Sequence, residues 1–293
     1  MVCIACLRVL RVLTASEDID SQRSHNNASK HITTKTLRKL RKPEPSKTRL
    51  GTLLVKNEMN RYRTYLILAT FAAAMALLEA AVVIYMRRLY YPENPLELFP
   101  LAFLASYDPT LELAREISTI VMLITVAILA ERATLTRTFA AFVFVFGLWD
   151  MLYYAWLKIL LGWPRDWLEW DVLFLVPSIW LGPWICPALI ALLFVLWGTA
   201  ILLNTKDYQF SKQGFLTFLL GSVAGLVTFF QPAVPVWFNG GIPALIVYQP
   251  GNFWWWLFIP ALIAMALGLG SCFWPSRHVT NAAPKPARQI EDS

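Results

Sequence analysis

Seven polar side chains sit inside, or at the edge of, stretches apolar enough to enter a bilayer: Glu79, Arg115, Glu116, Asp150, Tyr154, Lys158 and Asp171. An ionised carboxylate near the centre of a membrane costs about 2.5–3.5 kcal/mol even on the lenient insertion scale, so each must be paired, protonated or hydrated. Asp150, Tyr154 and Lys158 follow an i, i+4, i+8 spacing, one slowly drifting stripe that a helix can turn toward its neighbours. Counted from a cytoplasmic entry near Thr138, Asp150 lies about 18 Å deep and Lys158 about 30 Å, where a lysine can snorkel to the headgroups and an aspartate midway cannot. Glu79, Arg115, Glu116 and Asp171 project to the same outer half. The carboxylates Glu79, Glu116, Asp150 and Asp171 outnumber the bases Arg115 and Lys158. This pattern predicts an outward-facing polar cavity, walled by Trp149, Tyr153 and Tyr154, that binds or passes a small solute, a proton or a lipid headgroup. In the alternative reading Arg115 pairs with Asp150 or Glu79 only to hold helices together, and the protein is a structural or scaffold subunit of a membrane complex. A carboxylate-dependent membrane enzyme comes third, with no catalytic residue assigned.

Other chemistry is missing from the apolar stretches. His25, His31 and His278 are the three histidines, all in terminal segments, so no span offers imidazole ligands for haem, copper, zinc or di-iron. No Walker loop, GxGxxG or G-x-S-x-G element occurs. Cys3 and Cys6 form a lone CxxC without the second ligand pair of a zinc site, and Cys186 and Cys272 lie among apolar neighbours as small hydrophobes. The expectation is therefore no metal and no cofactor.

The elements that must position these side chains follow from composition. With 57% hydrophobic and 15% charged residues and a mean hydropathy of +0.50, the chain belongs to a membrane rather than to water. The expected fold is all-α, a polytopic membrane helix bundle with about six spans at 65–86, 113–131, 138–161, 183–203, 215–231 and 253–274. An even count puts both termini on one side, and Arg61, Arg63, Arg132, Arg137, Lys206, Lys212 and Arg277 choose the cytoplasm. Asp108 is the expected N-cap of the second span, with Pro109 at its first position and Glu112 and Glu116 near the positive end of its dipole. GSVAG, residues 221–225, reads as a close-packing face within the bundle.

Two features on the outer side depart from a plain bundle. WPRDWLEWD spaces Trp163, Trp167 and Trp170 at i, i+4, i+7, which predicts a short Trp-rich helix lying in the headgroup zone. Residues 172–203 would reach about 48 Å as one helix, too long for a core of about 30 Å, and Pro177, Pro183 and Pro187 interrupt them. VLFLVPSIWL is expected as a Pro-broken half-helix, with its irregular backbone buried or lining a wet cavity. The charge-free loop 232–252 is expected to fold back or skim the membrane around Asn239-Gly240-Gly241.

Net charge follows the same division. Residues 1–58 carry 12 Lys and Arg against 5 Asp and Glu, and residues 59–293 balance at 14 against 14. The basic excess, including LRKLRK at 37–42, is expected to touch anionic lipid headgroups rather than nucleic acid, with a targeting signal in MVCIACLRVLRVL as the weaker alternative because Arg8 and Arg11 interrupt its apolar run. Residues 1–58 are expected to be a disordered basic segment, residues 59–275 the six-helix domain, and residues 276–293 a disordered cytoplasmic tail. MNRYRTYLILATF, from Met59, has the form of an alternative translation start.

The block Trp149-Asp150, Tyr153-Tyr154, Trp156-Leu157-Lys158, Gly162-Trp163-Pro164, Trp170-Asp171, Leu173-Phe174-Leu175, Pro177, Trp180, Gly182-Pro183 and Pro187 resembles a group of uncharacterised bacterial multi-spanning integral membrane proteins. The resemblance covers about residues 112–190, and those relatives often carry proline where this chain has Ile179. It implies a multi-pass protein of the bacterial cytoplasmic membrane and carries no activity with it.

Overall fold

The structure, a computed structural model, describes residues 47–105, 109–175, 179–206 and 208–273. In chain order the helices are α1 (Lys47–Tyr90), α2 (Pro109–Ala130), α3 (Leu135–Leu161), α4 (Ile185–Leu203), α5 (Lys212–Phe230), α6 (Val234–Ile246) and α7 (Trp255–Gly270). A two-stranded hairpin, β1 (Trp170–Phe174) and β2 (Trp180–Pro183), precedes α4, and short 3-10 turns occupy Ala102–Ala105 and Ser271–Phe273. All of these but α6 and the hairpin contribute to, or connect, six helices long and apolar enough to cross a membrane: Glu58–Tyr90, Thr110–Ala130, Leu135–Leu161, Ile185–Leu203, Lys212–Phe230 and Trp255–Phe273. The chain is an all-α polytopic bundle, because only a helix satisfies every backbone group of an open span internally.

Local signals set the helix ends. Thr134 caps α3, its hydroxyl accepting the Arg137 N–H at 3.3 Å, and Gly162 stops it in the left-handed region at φ 83°, donating back to the Lys158 carbonyl at 3.1 Å. Ser211 caps α5 by accepting the Gly214 N–H at 2.9 Å. α2 opens on Pro109 as expected, and its expected cap Asp108 lies outside the described residues. So do Cys3, Cys6, the LRKLRK run and residues 276–293. At the other boundary the helix begins earlier than expected. Residues 47–58, expected within the disordered segment, continue α1, since a helix propagates back from the span at little cost once nucleated.

α3 lies at the centre, packed on α1, α2 and α4, while α5 pairs chiefly with α7. Phe144, Ala140, Ala141 and Val145 on α3 are fully buried, and Phe144 meets Tyr65 of α1 at 4.7 Å between ring centroids. The α5–α7 contact runs through Gly221: a Cβ there would fall 2.7 Å from the Met265 nitrogen and 2.8 Å from the Ala261 carbonyl of α7. The GSVAG motif thus serves packing inside one chain.

At the end of the bundle formed by the α2–α3 and α4–α5 connections, Arg137 acts as a clasp. Its side chain is 5% exposed and its guanidinium donates to the carbonyls of Ile201 (3.1 Å), Asn204 (3.1 Å) and Leu202 (3.0 Å) and to the Glu131 carboxylate (3.0 Å). Arg61 of α1 donates to the same Asn204 carbonyl. One guanidinium fork thereby satisfies the orphan carbonyls at the C-terminus of α4 and ties that end to α2 and α3.

Two expectations at the opposite end are corrected. Trp170–Phe174 and Trp180–Pro183 pair as antiparallel strands, with Trp170 opposite Pro183, Asp171 opposite Gly182 and Val172 opposite Leu181, where a half-helix was expected; its expected break at Pro177 lies outside the described residues. The prolines leave windows too short to repay helix nucleation, and Val172, Phe174, Ile179 and Trp180 favour a pleated strand. The Trp-rich stretch is likewise a loop with a turn at 167–168, not an interfacial helix. Its helical spacing is overridden by burial, because Trp163 is fully enclosed while Trp167 is 72% exposed and stacks on Trp184 at 5.8 Å. Glu169 turns its carboxylate back onto the Arg165 and Asp166 N–H groups and closes the turn. The loop after α5 holds a short helix, α6, broken at Gly241 where φ is 62° and only glycine sits without strain.

Candidate binding cavity

Helical period and the hairpin together bring most of the expected polar residues to one place. Glu79, Val83 and Arg87 succeed each other at i, i+4, i+8 on α1, and Glu112, Arg115, Glu116 and Thr119 occupy the first turns of α2. Asp150, Tyr153 and Tyr154 lie on the half of α3 toward the hairpin, and Asp171 on β1. All of these line a single cavity of about 300 Å³, the lower end of the range of small-molecule pockets.

Most of its charges are committed. Arg115 donates to Glu79 of α1 and to both oxygens of Glu112 on its own helix, the Nε–Oε2 bond measuring 2.8 Å. Arg87, 3% exposed, donates to Asp171 Oδ1 at 3.2 Å and lies 4.1 Å over the ring of Trp163. That stacking gives the loop tryptophan its place inside the protein, since a guanidinium with few hydrogen bonds gains from an aromatic face. The Arg87 Nε and Nη1 atoms have no hydrogen-bond partner among the described residues. Glu116, 6% exposed, receives the Leu175 N–H on both carboxylate oxygens, at 2.9 and 3.1 Å. Burial pushes the Asp171 carboxyl up to about 6, against the pull of Arg87, the Val172 N–H and the Tyr154 hydroxyl, each of which favours its charged form.

Asp150 stands apart. Its carboxylate makes no ion pair and no side-chain hydrogen bond among the described residues, and the charged group that acts on it is another carboxylate, Asp171. Aromatic side chains share the wall with it: Tyr153 and Tyr154 meet edge to face at 5.0 Å, and Trp149 meets Phe146 at 5.6 Å.

Of the seven expected site residues, Glu79, Arg115, Glu116, Asp150, Tyr154 and Asp171 line the cavity. Lys158 does not. The α3 lining ends at Tyr154, and Lys158 lies one turn further on, exposed in the last turn of the helix. Its ammonium instead donates to the Pro164 carbonyl at 2.6 Å and the Gly162 carbonyl at 3.4 Å, closing the C-terminal end of α3. Arg87, and Glu112, which the sequence marks only as a partner of the α2 dipole, line the cavity as well. The signals were present: Arg87 lies two turns beyond Glu79 on one face of α1, and Glu112 one turn before Arg115.

Among the described residues no three His, Cys, Asp or Glu side chains converge as a metal site. Toward the other end the cavity changes character. Phe139, Phe142, Val143 and Phe146 of α3, Phe194 of α4 and Phe215, Phe218, Leu219, Ser222 and Leu226 of α5 carry it on as an apolar trough. Fold and site together define a multi-pass helical membrane protein with an internal, carboxylate-rich cavity. No family model, no curated protein and no solved structure matches the chain.

Proposed function

We propose that the protein binds, or passes across the membrane, a small solute or lipid headgroup bearing a cationic or protonatable group, and that Asp150 receives it. The carrying observation is the unpaired state of Asp150 in a cavity whose two arginines are already taken by Glu79, Glu112 and Asp171. A carboxylate without a partner at this depth is expensive, and a ligand cation or a proton is what offsets it. We place the protein in the bacterial cytoplasmic membrane, termini inside and hairpin end outside. Arg61, Arg63, Arg132, Lys206 and Lys212 support this by gathering at the end away from the hairpin.

The test uses the full chain in lipid nanodiscs with tetramethylammonium as probe. Asp150→Asn is expected to weaken saturable binding at least about tenfold, the loss of roughly one charge-assisted contact, without lowering the unfolding temperature. Lys158→Met, outside the cavity, is expected to bind as the unaltered protein does. Binding that is unchanged in Asp150→Asn overturns the assignment. Reporter fusions at Gly240 and Ser276 test the orientation, with Gly240 expected outside and Ser276 inside.

A second reading has its own support: Arg115 joins α1 to α2, and Arg87 joins α1 to the hairpin, as struts of a scaffold would. There, exchanging the charges of Arg115 and Glu79 restores the folding that either single reversal loses, and Asp150→Asn has no effect on any ligand.

A further inference from the structure

The trough and the charged chamber are two ends of one cavity. On α3 its lining runs from Phe139 to Tyr154 at successive spacings of three and four residues, about 22 Å of helix, and on α5 from Phe215 to Phe229, about 21 Å. α5 pairs with α7 rather than α3, so the trough lies where these two lining helices stand apart. Phe139 and Phe218 close its floor at 5.8 Å between centroids, and Trp180 stacks on Phe229 at 6.5 Å near the hairpin. The one hydroxyl among the α5 lining residues, on Ser222, is spent on the Phe218 carbonyl at 2.8 Å. Walls of this kind hold hydrocarbon and do not hold water, which needs two to four polar partners.

We propose that the ligand is a cationic amphiphile, an ammonium group joined to a hydrocarbon chain, with the ammonium against Asp150 and the chain lying in the trough toward Phe194 and Phe218. This rests on the reading of Asp150 as a cation site and adds the chemistry of what the cation carries. Charge selects the head. Five carboxylates and two arginines line the chamber, the arginines are matched by Glu79, Glu112 and Asp171, and Glu116 is held by the Leu175 N–H. That leaves Asp150, in a wall shared with Tyr153, Tyr154 and Trp149, rings that favour ammonium over sulfate. Shape selects the tail, because a hydrated small cation fills only the chamber and leaves the trough empty.

Three probes on the full chain in nanodiscs, each corrected by empty nanodiscs, decide it: decyltrimethylammonium, tetramethylammonium and decyl sulfate. Decyltrimethylammonium is expected to bind saturably and at least about tenfold tighter than tetramethylammonium, as burial of several methylenes implies. Decyl sulfate is expected not to bind. Ser222→Phe, which fills the trough from α5, is expected to narrow the gap between the two cations, and Asp150→Asn to weaken both at least about tenfold. Equal affinity for the two cations, still dependent on Asp150, overturns the amphiphile and leaves the cation site standing. Loss of Asp150 dependence overturns both, and binding of decyl sulfate as tight as that of its cationic counterpart overturns the charge assignment. The comparison among the three probes needs no variant, so it holds even if Ser222→Phe fails to fold.

Discussion

Arg137→Ala gives the sharpest test of how this bundle is held. The Arg137 guanidinium makes four hydrogen bonds of 3.0–3.1 Å, one of them an ion pair with Glu131, from a side chain 5% exposed. Four charge-assisted bonds at the low end of about 1.5 kcal/mol each would suggest about 6 kcal/mol. Three of the acceptors are carbonyls at the end of α4, however, and water can reach a helix end at the edge of a membrane once the side chain is gone. What is not recovered is the buried ion pair and the packing of the arginine stem, about 3 kcal/mol or a little more. Arg137→Lys keeps the charge but not the fork, and one ammonium cannot serve carbonyls that Nη1 and Nη2 reach separately, so about half that loss is expected. The assay is reversible unfolding in mixed micelles of rising sodium dodecyl sulfate content, followed by helical circular dichroism. A change under about 0.5 kcal/mol for Arg137→Ala, the usual range of an ordinary surface substitution, would refute the clasp. Lysine and alanine costing the same would refute the argument from the fork.

Gly221→Leu places a branched side chain where even a Cβ would fall 2.7 Å from the α7 backbone, so the α5–α7 pair must separate. A loss of about 1–3 kcal/mol or more is expected in the same micelle assay, and an unaltered midpoint would remove the close approach. Asp171 is pushed up to about 6 from an ordinary 3.8, so the folded protein holds a proton there that the unfolded chain has released. Its contribution is therefore fully present below about pH 4, declines as pH rises to about 6, and is level above. In Asp171→Asn that segment of the stability curve is expected to flatten, and a slope that persists assigns it to another group.

What the sequence makes legible here is whatever depends on run length and helical period. The six spans follow from apolar runs that nothing but a membrane explains, and six of the seven expected polar residues share one cavity because i, i+4 spacing survives folding unchanged. Lys158 shows the limit of that reasoning, since it shares the stripe but sits in the last turn of α3, past the end of the cavity, where the loop carbonyls of Gly162 and Pro164 take its ammonium. The hairpin and the Trp loop were misjudged for a different reason. In both, apolar residues face two sides, and periodicity does not separate a short strand or a buried loop from a helix when tertiary contacts decide. Trp163 goes inside because Arg87 of α1 is there to meet it, a partner 76 residues upstream that no local pattern announces. Arg137 was read as a topological marker, and only the arrival of the α4 terminus beside it reveals the clasp.

The position of that clasp also bears on biosynthesis. Everything Arg137 grips lies between Glu131 and Asn204, so its bonds can form once the end of α4 has left the ribosome, while α5 is still inside the exit tunnel. The first four spans can settle as a finished unit, with their buried guanidinium satisfied, while the chamber still lacks the wall that α5 supplies. The last two spans, matched to each other through Gly221, then enter as a pair. The nascent protein thus holds its carboxylates in an open half-shell that α5 and α7 close, and synthesis itself sets the moment at which the cavity becomes an enclosed space.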